Sequence, residues 1–450
     1  MSLFNNERLT NETFKLDVDR MRRGWYSDKY FANIALMLAG VSHNGGYTGQ
    51  FPRDIGRDPV GLNVGDIEVE MQFFTRRRGQ TVIVGVDKAL TMLRHCTGYF
   101  DEADEWVETW PDLVVTAVHD GCTTEYHGDP LHVQPVIRVR GRYRDFALLE
   151  TPMLGILSRG SRIATNVYDV HKAARGKPIL FFPARFDLHE VQAADGYAYE
   201  IAVARFNLDF KGESRPFVST DAQGDWWGGA GGGTVAHAAI ACFLGDTAAA
   251  MMAFAEFVPP EVSRIALVDF NNDSVLDSLR VMRAMFTRYA ELITAGDEVE
   301  AQKYILFGVR LDTSGGMRDV NVPPLGDPAL DLGVTPRLVF NVRQALDTAW
   351  EQWDLPPNQV KIAQDYGRNV KIVVTGGFNP EKISRFEKLN VPVDIYGVGS
   401  SLIRNGRDTN TDFTADVVRI KVDGEWVDLA KVGRQASDNP NMQPVDLSNL

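Results

Sequence analysis

Residues 370–401 read VKIVVTGGFNPEKISRFEKLNVPVDIYGVGSS. Two short apolar runs, VKIVV and VDIYGV, are rich in β-branched residues and read as strands. Each ends in glycines. Between them Asn379 stands where an N-cap belongs and Pro380 at the first helical position, so PEKISRFEKL reads as a helix. Strand, glycine loop, helix, strand, glycine loop is one crossover unit of a parallel sheet.

The same rhythm runs back to about residue 146. It opens with a long helical pattern, ALLETPMLGILSRGSRIATNVYDVHKAARG. Apolar strands PILFFPAR, RPFVST, RIALVDF and YILFGVRLD then alternate with helical segments such as DSVLDSLRVMRAMFTRYAELI and RLVFNVRQALDTAWEQW. Apolar strand cores between amphipathic helices predict a parallel sheet covered on both faces. A partial or complete β/α barrel fits this pattern, and so does a doubly wound open sheet; the barrel is the first choice.

Upstream the texture is different. The first forty residues have helical spacing, residues 41–65 are loop-like, and GDIEVEMQFFTRR, DLVVTAVHDG and HVQPVIRVRGRYRDF read as strands of an antiparallel sheet. The tail TADVVRIKVDGEWVDLAK reads as a hairpin with an Asp-Gly turn. The expected class is α/β: an irregular β/α barrel plus an α+β sandwich domain built from the N-terminal region and the C-terminal tail. The expected boundaries are 1–145, 146–402 and 403–450, with the last segment packing back on the first.

Composition narrows the function. The 450 residues carry 47 Lys and Arg against 60 Asp and Glu, a net charge of -13, which disfavours a nucleic-acid partner. No apolar run reaches the ~18 residues of a membrane span, and the start lacks the pattern of a secretory leader. Three scattered cysteines without a CxxC pair suggest reduced thiols and a cytoplasmic protein.

Chemistry in parallel α/β folds gathers at the C-terminal ends of strands. Those ends here carry Arg185, Ser219, Asp269, Arg310, Asp312, the pair Gly376–Gly377, and Gly397, Gly399 and Ser400. Glycines there let a phosphate reach backbone N–H groups, and the helix start at Asn379 adds partial positive charge. Tight turns alone would also use glycine. Residues 224–237, GDWWGGAGGGTVAH, contain a formal GxGxxA fingerprint at 231–236. No strand precedes it, so a dinucleotide site is a poor fit. A glycine loop that delivers Thr234, as helix N-cap, and His237 to a site is the better one, against a plain core or capping histidine.

These stretches together resemble the nicotinate phosphoribosyltransferase family. ALLETPMLGILS resembles its LLETPLL helix, GGTVAHAAI its GTxAHS segment, GVRLDTSGG its VRxDSGD strand end, and SDKYFANIALML its tyrosine-bearing helix. The glycine loops look like its paired phosphate loops. The resemblance runs in order from residue 27 to about 402.

It implies transfer of a phosphoribosyl group from 5-phosphoribosyl-1-pyrophosphate to nicotinate in NAD salvage, coupled to ATP, with Mg2+ required and a homodimer as the usual assembly. It implies that His237 is phosphorylated, that Tyr30, Thr234 and Arg310 hold the pyridine and its carboxylate, and that Arg185 faces the substrates. Gly376, Gly377, Gly397, Gly399 and Ser400 would bind the ribose 5-phosphate, and Asp269 and Asp312 are candidate Mg2+ ligands. The chain departs from the family pattern at Ala238, where the family has serine, and at Gly316, where it has an acid. Quinolinate or nicotinamide transferases, and a non-catalytic pyridine-nucleotide sensor, are the alternatives. The quinolinate reading would need several basic residues, such as Arg76, Arg77, Arg78, Arg138 and Arg140, on the ring.

Overall fold

The computed structural model describes residues 7–44 and 46–450. Residues 1–6, part of the start read above as lacking a secretory leader, lie outside the described residues. The chain divides into two compact units: Met1–Tyr168, Tyr197–Asp209 and Arg404–Leu450 form one, and Asp169–Gly196 with Phe210–Ile403 form the other.

The first unit is built on a six-stranded antiparallel sheet. Its central strand Glu68–Thr75 pairs on one side with Ile137–Arg142 and on the other with Phe413–Val422 from the tail. The tail therefore packs back on the N-terminal region, and its hairpin turns at Asp423 and Gly424, both at positive φ (49° and 82°). Two such residues in succession are what a two-residue turn between twisted strands requires. One face of the sheet buries Val69, Met71, Phe73, Ile137 and Val139 against the helices Val86–Cys96 and Glu150–Ala173, which contribute Leu90, Leu93, Met153 and Leu157. The opposite face is charged. Glu70, with no exposed side-chain surface, lies across from Arg140 and Arg419, bonds to both, and has Arg138 3.5 Å away.

The second unit carries the parallel sheet. Strands Ile265–Leu267, Gly308–Leu311, Lys371–Val374 and Ile395–Val398 lie side by side in chain order, and the first strand, Ile179–Phe181, pairs with the last. That closure of last on first selects the barrel over the doubly wound sheet. The strands are buried almost throughout, as expected of a sheet covered on both faces.

One expected strand is missing. RPFVST makes only a parallel bridge from Val218 to Phe181, with a second from Val218 to Gly231. The reason is local: Pro216 has no N–H, and the N–H groups of Ser219 and Thr220 donate to the Gln223 side chain, at 2.9 and 3.2 Å, not to a neighbouring strand. The order around the barrel then runs through residues 179, 218 and 231 to a seam before residue 265. Among the described residues no backbone pairing crosses that seam.

Candidate active site

The C-terminal strand ends of the second unit open on a cavity of about 380 Å³. Of the residues singled out in the sequence, Arg185, Ser219, Thr234, Arg310, Asp312, Gly376, Gly377, Gly397, Gly399 and Ser400 line it. Residues not singled out line it too: Phe182, Phe186, Thr375 and Phe378 bring apolar surface. Phe182 could have been found from the strand period, because it follows the inward-packed Leu180 by two residues. Phe186 and Phe378 lie in loops, where no periodicity applies.

Arg310 reaches across the seam. Its Nη1 donates to Thr234 Oγ1 at 3.0 Å and its Nη2 to the Val235 carbonyl at 3.2 Å. Its Nε–H is buried and has no acceptor among the described residues. Burial lowers the Arg310 pKa, while the carboxylates of Asp312 and Asp269 act in the opposite direction. Each Nη group has one further N–H beyond its bond to Thr234 or Val235, and those are the donors that a ligand carboxylate can take up. Thr234 is thereby drawn away from the role expected of it. The helix His237–Cys242 has Ala236 as its N-cap, with no side-chain cap bond; it begins two residues too late for Thr234 to cap it, and the threonine hydroxyl accepts from Arg310.

Both glycine loops face the same cavity, so they lie at the same end of the sheet. Gly376 and Gly377 are both at positive φ (88° and 68°), and they lead into the helix Pro380–Lys388, which Asn379 caps by accepting from Lys382 N–H at 2.8 Å. The N–H groups of Gly376, Gly377 and Phe378 donate to no acceptor among the described residues. Successive free N–H groups ahead of a helix start form an anion-binding concavity. The second loop is shaped by packing as well: a Cβ on Gly397 would lie 2.4 Å from Thr375 Cγ2, and one on Gly399 2.6 Å from the Phe186 ring.

His237 and Asp269 sit at the seam and do not line the cavity, although Ala236 does. His237 Nε2 lies 3.0 Å from Asp269 Oδ1, with the imidazole 46% exposed and the carboxylate 8%. Burial raises the Asp269 pKa; the hydrogen bond from His237 opposes it and Asp312 adds to it. No group of three or more His, Cys, Asp and Glu suited to a metal occurs among the described residues. Asp312 lines the cavity and Asp269 does not; a Mg2+ ion would need one or two such carboxylates, completed by substrate phosphate oxygens.

The glycine tract before His237 serves packing first. A Cβ on Gly224 would collide with the Gly229 carbonyl at 1.9 Å, and one on Gly232 with the Phe217 ring at 2.5 Å. Trp227 packs the loop, its Nε1–H donating to the Gln223 carbonyl at 2.7 Å, and neither tryptophan lines the cavity. Of its glycines, Gly232 and Gly233 line the cavity, followed by Thr234, Val235 and Ala236. A 3₁₀ turn, Asp221–Gly224, and not a strand, leads into the tract, which removes the dinucleotide fingerprint.

Tyr30 belongs to the first unit, on the helix Lys29–Ser42, where it lines a groove with Tyr143, Glu150 and Asp416. The arginines that a dicarboxylate would need are engaged in that unit: Arg76 by Thr414, Arg77 by Asn166 and Thr411, and Arg138 and Arg140 by Glu70. Arg78 is exposed.

No protein-family model matches the chain, and no curated protein matches it. Solved structures do. A nicotinate-nucleotide pyrophosphorylase from Pyrococcus furiosus superposes with a TM-score of 0.61 at 24% identity, covering 94% of this chain and 80% of that one. Human nicotinic acid phosphoribosyltransferase superposes at 0.54 with 17% identity, covering 88% and 75%. The chain is similar to both in fold. No helix among the described residues is long and apolar enough to cross a membrane.

Proposed function

We propose that the chain is a nicotinate phosphoribosyltransferase, which joins nicotinate to 5-phosphoribosyl-1-pyrophosphate and releases pyrophosphate, with ATP hydrolysis coupled to the transfer. The observation that carries this reading is the meeting, in one cavity, of a desolvated arginine with a spare donor, aromatic rings, and two glycine loops with open N–H groups.

In this reading the pyridine ring lies against Phe182 and Phe186, and its carboxylate pairs with Arg310. Charge-assisted bonds of this kind are worth about 1.5–3 kcal/mol. The glycine loops and the Ser400 hydroxyl hold the ribose 5-phosphate. The bond from ribose C1 to the pyrophosphate oxygen breaks as the bond to the pyridine nitrogen forms, and positive charge collects at C1. Positioning supplies much of the acceleration, and Arg185 attracts the departing pyrophosphate. Asp269 and Asp312 would hold Mg2+, which supplies charge neutralisation at the pyrophosphate. Asp269 orients His237 through Nε2 and leaves Nδ1 to accept the γ-phosphoryl group of ATP, with a P–N bond formed, a P–O bond broken and ADP released.

Nicotinate is favoured over quinolinate because only two cationic side chains, Arg185 and Arg310, line the cavity. One of them faces the leaving group, which leaves a single arginine for a single carboxylate.

The test is product analysis with purified protein, 5-phosphoribosyl-1-pyrophosphate, and nicotinate, quinolinate or nicotinamide, with and without ATP. Nicotinate should yield nicotinate mononucleotide, faster with ATP. Turnover of quinolinate alone, with release of carbon dioxide, would overturn the assignment; turnover of none would favour the sensor.

A further inference from the structure

Lys382 is not in contact with the cavity and no role is assigned to it above. It occupies the third position of the helix Pro380–Lys388, and its side chain folds back over the loop that precedes the helix. Its Nζ donates to the Gly376 carbonyl at 3.3 Å and lies 4.1 Å from the centroid of the Phe378 ring. Phe386 provides a second ring at 6.0 Å. Burial, with Arg385 nearby, pulls the lysine pKa down to about 8. A long, flexible cation is thus held between aromatic faces at one backbone carbonyl.

The carbonyl matters because of what shares its peptide plane. The peptide bond between Gly376 and Gly377 is trans, so the Gly376 C=O and the Gly377 N–H point in opposite directions across one rigid plane. Holding the oxygen on the lysine side turns the N–H to the other side, where Gly377 lines the cavity. This peptide has glycine on both sides, and glycine is the residue least able to resist a change of φ and ψ. Were the plane to flip, an oxygen would replace an N–H in the anion concavity. The neighbouring carbonyl is also tied: Phe378 C=O accepts from Ser401 Oγ at 3.0 Å. The peptide between Gly376 and Gly377 has Lys382 as its tether.

We propose that Lys382 is a positioning residue of the phosphate site: by fixing the Gly376 carbonyl it keeps the Gly377 N–H directed at the bound phosphate. The inference rests on the reading of the glycine loops as the phosphate site.

The test compares Lys382→Met, which keeps the stem against the phenylalanine rings but has no donor, with Lys382→Arg, which restores one. Binding of inorganic phosphate to the full-length protein is measured calorimetrically, beside KM for both substrates, kcat, and thermal unfolding. Lys382→Met should weaken phosphate binding and raise KM for 5-phosphoribosyl-1-pyrophosphate by about 10-fold, the scale of one lost hydrogen bond. KM for nicotinate and the unfolding temperature should stay close to wild type, and Lys382→Arg should recover most of the phosphate affinity. If wild type binds phosphate and Lys382→Met binds it equally well, the positioning role is wrong and the phosphate site stands. Equal rises in both KM values with a lowered unfolding temperature would also overturn it, in favour of a merely structural lysine. If wild type binds neither phosphate nor 5-phosphoribosyl-1-pyrophosphate, the phosphate site falls and this inference with it.

Discussion

The two sheets place their polar groups differently. On the antiparallel sheet, Glu70 is buried among three arginines and pairs with each of them, although the Arg138 Nε–H has no hydrogen-bond acceptor among the described residues. At the C-terminal edge of the parallel sheet, polar groups converge and stay partly unsatisfied: Arg310 Nε–H and the N–H groups of Gly376, Gly377 and Phe378 have no acceptor among the described residues. Gly376 and Gly377 are exposed, so water can meet their N–H groups at little cost when no ligand is bound. What distinguishes the second place is that its open groups face a cavity, whereas the charges around Glu70 face one another.

Substitutions in the two places should separate stability from activity. The largest effect is expected at His237. His237→Ala should abolish stimulation by ATP while slow transfer continues; it also removes the hydrogen bond to the buried Asp269 carboxylate, so thermal unfolding is followed alongside. Steady-state assays with and without ATP, and mass spectrometry for acid-labile phosphate, check this; full ATP stimulation in the variant would return His237 to a structural role.

Glu70→Ala should do the reverse. Removing the partner of buried charges costs about 3–5 kcal/mol, and the arginines here keep a fifth to a third of their exposure, so the lower end applies. Denaturant unfolding should show the loss, with KM values unaltered in the remaining folded protein. A wild-type unfolding curve would mean that the arginines are satisfied by water.

Arg310→Ala should raise KM for nicotinate by roughly 10- to 150-fold, the equivalent of about 1.5–3 kcal/mol, and should also lower stability, because its hydrogen bonds to Thr234 and the Val235 carbonyl across the seam are lost. An unaltered KM would remove Arg310 from the carboxylate site.

The smallest effect is expected from Gly377→Ala. A Cβ there meets nothing within 4 Å, so the cost is that of a left-handed residue, about 1–2 kcal/mol. It should appear as weaker phosphate binding or lower stability, and the absence of both would show that the loop relaxes freely.

Much of this was legible in the chain. Period-two and period-3.6 patterns located the strands and helices on both sides of the glycine loops, and Asn379 and Pro380 marked a helix start that the structure reproduces. The Asp-Gly turn of the tail needed only two residues to be recognised. RPFVST was misread because its apolar content is that of a strand, while its N–H groups are taken by a side chain three or four residues further on. Thr234 was misread as a cap because an N-cap is judged from its own helix, and its actual partner, Arg310, is 76 residues away.

The sequence by itself determined the local elements, the parallel crossovers, and the presence of glycines and charged residues at strand ends, since these depend on propensity and period over a few neighbouring residues. Only the tertiary structure decided that the last strand pairs with the first, that the seam is bridged by side chains, and which polar groups are left without partners. Those outcomes depend on atoms brought together from distant positions, and one sequence contains no periodic signal for which donor remains unpaired once the chain has closed on itself.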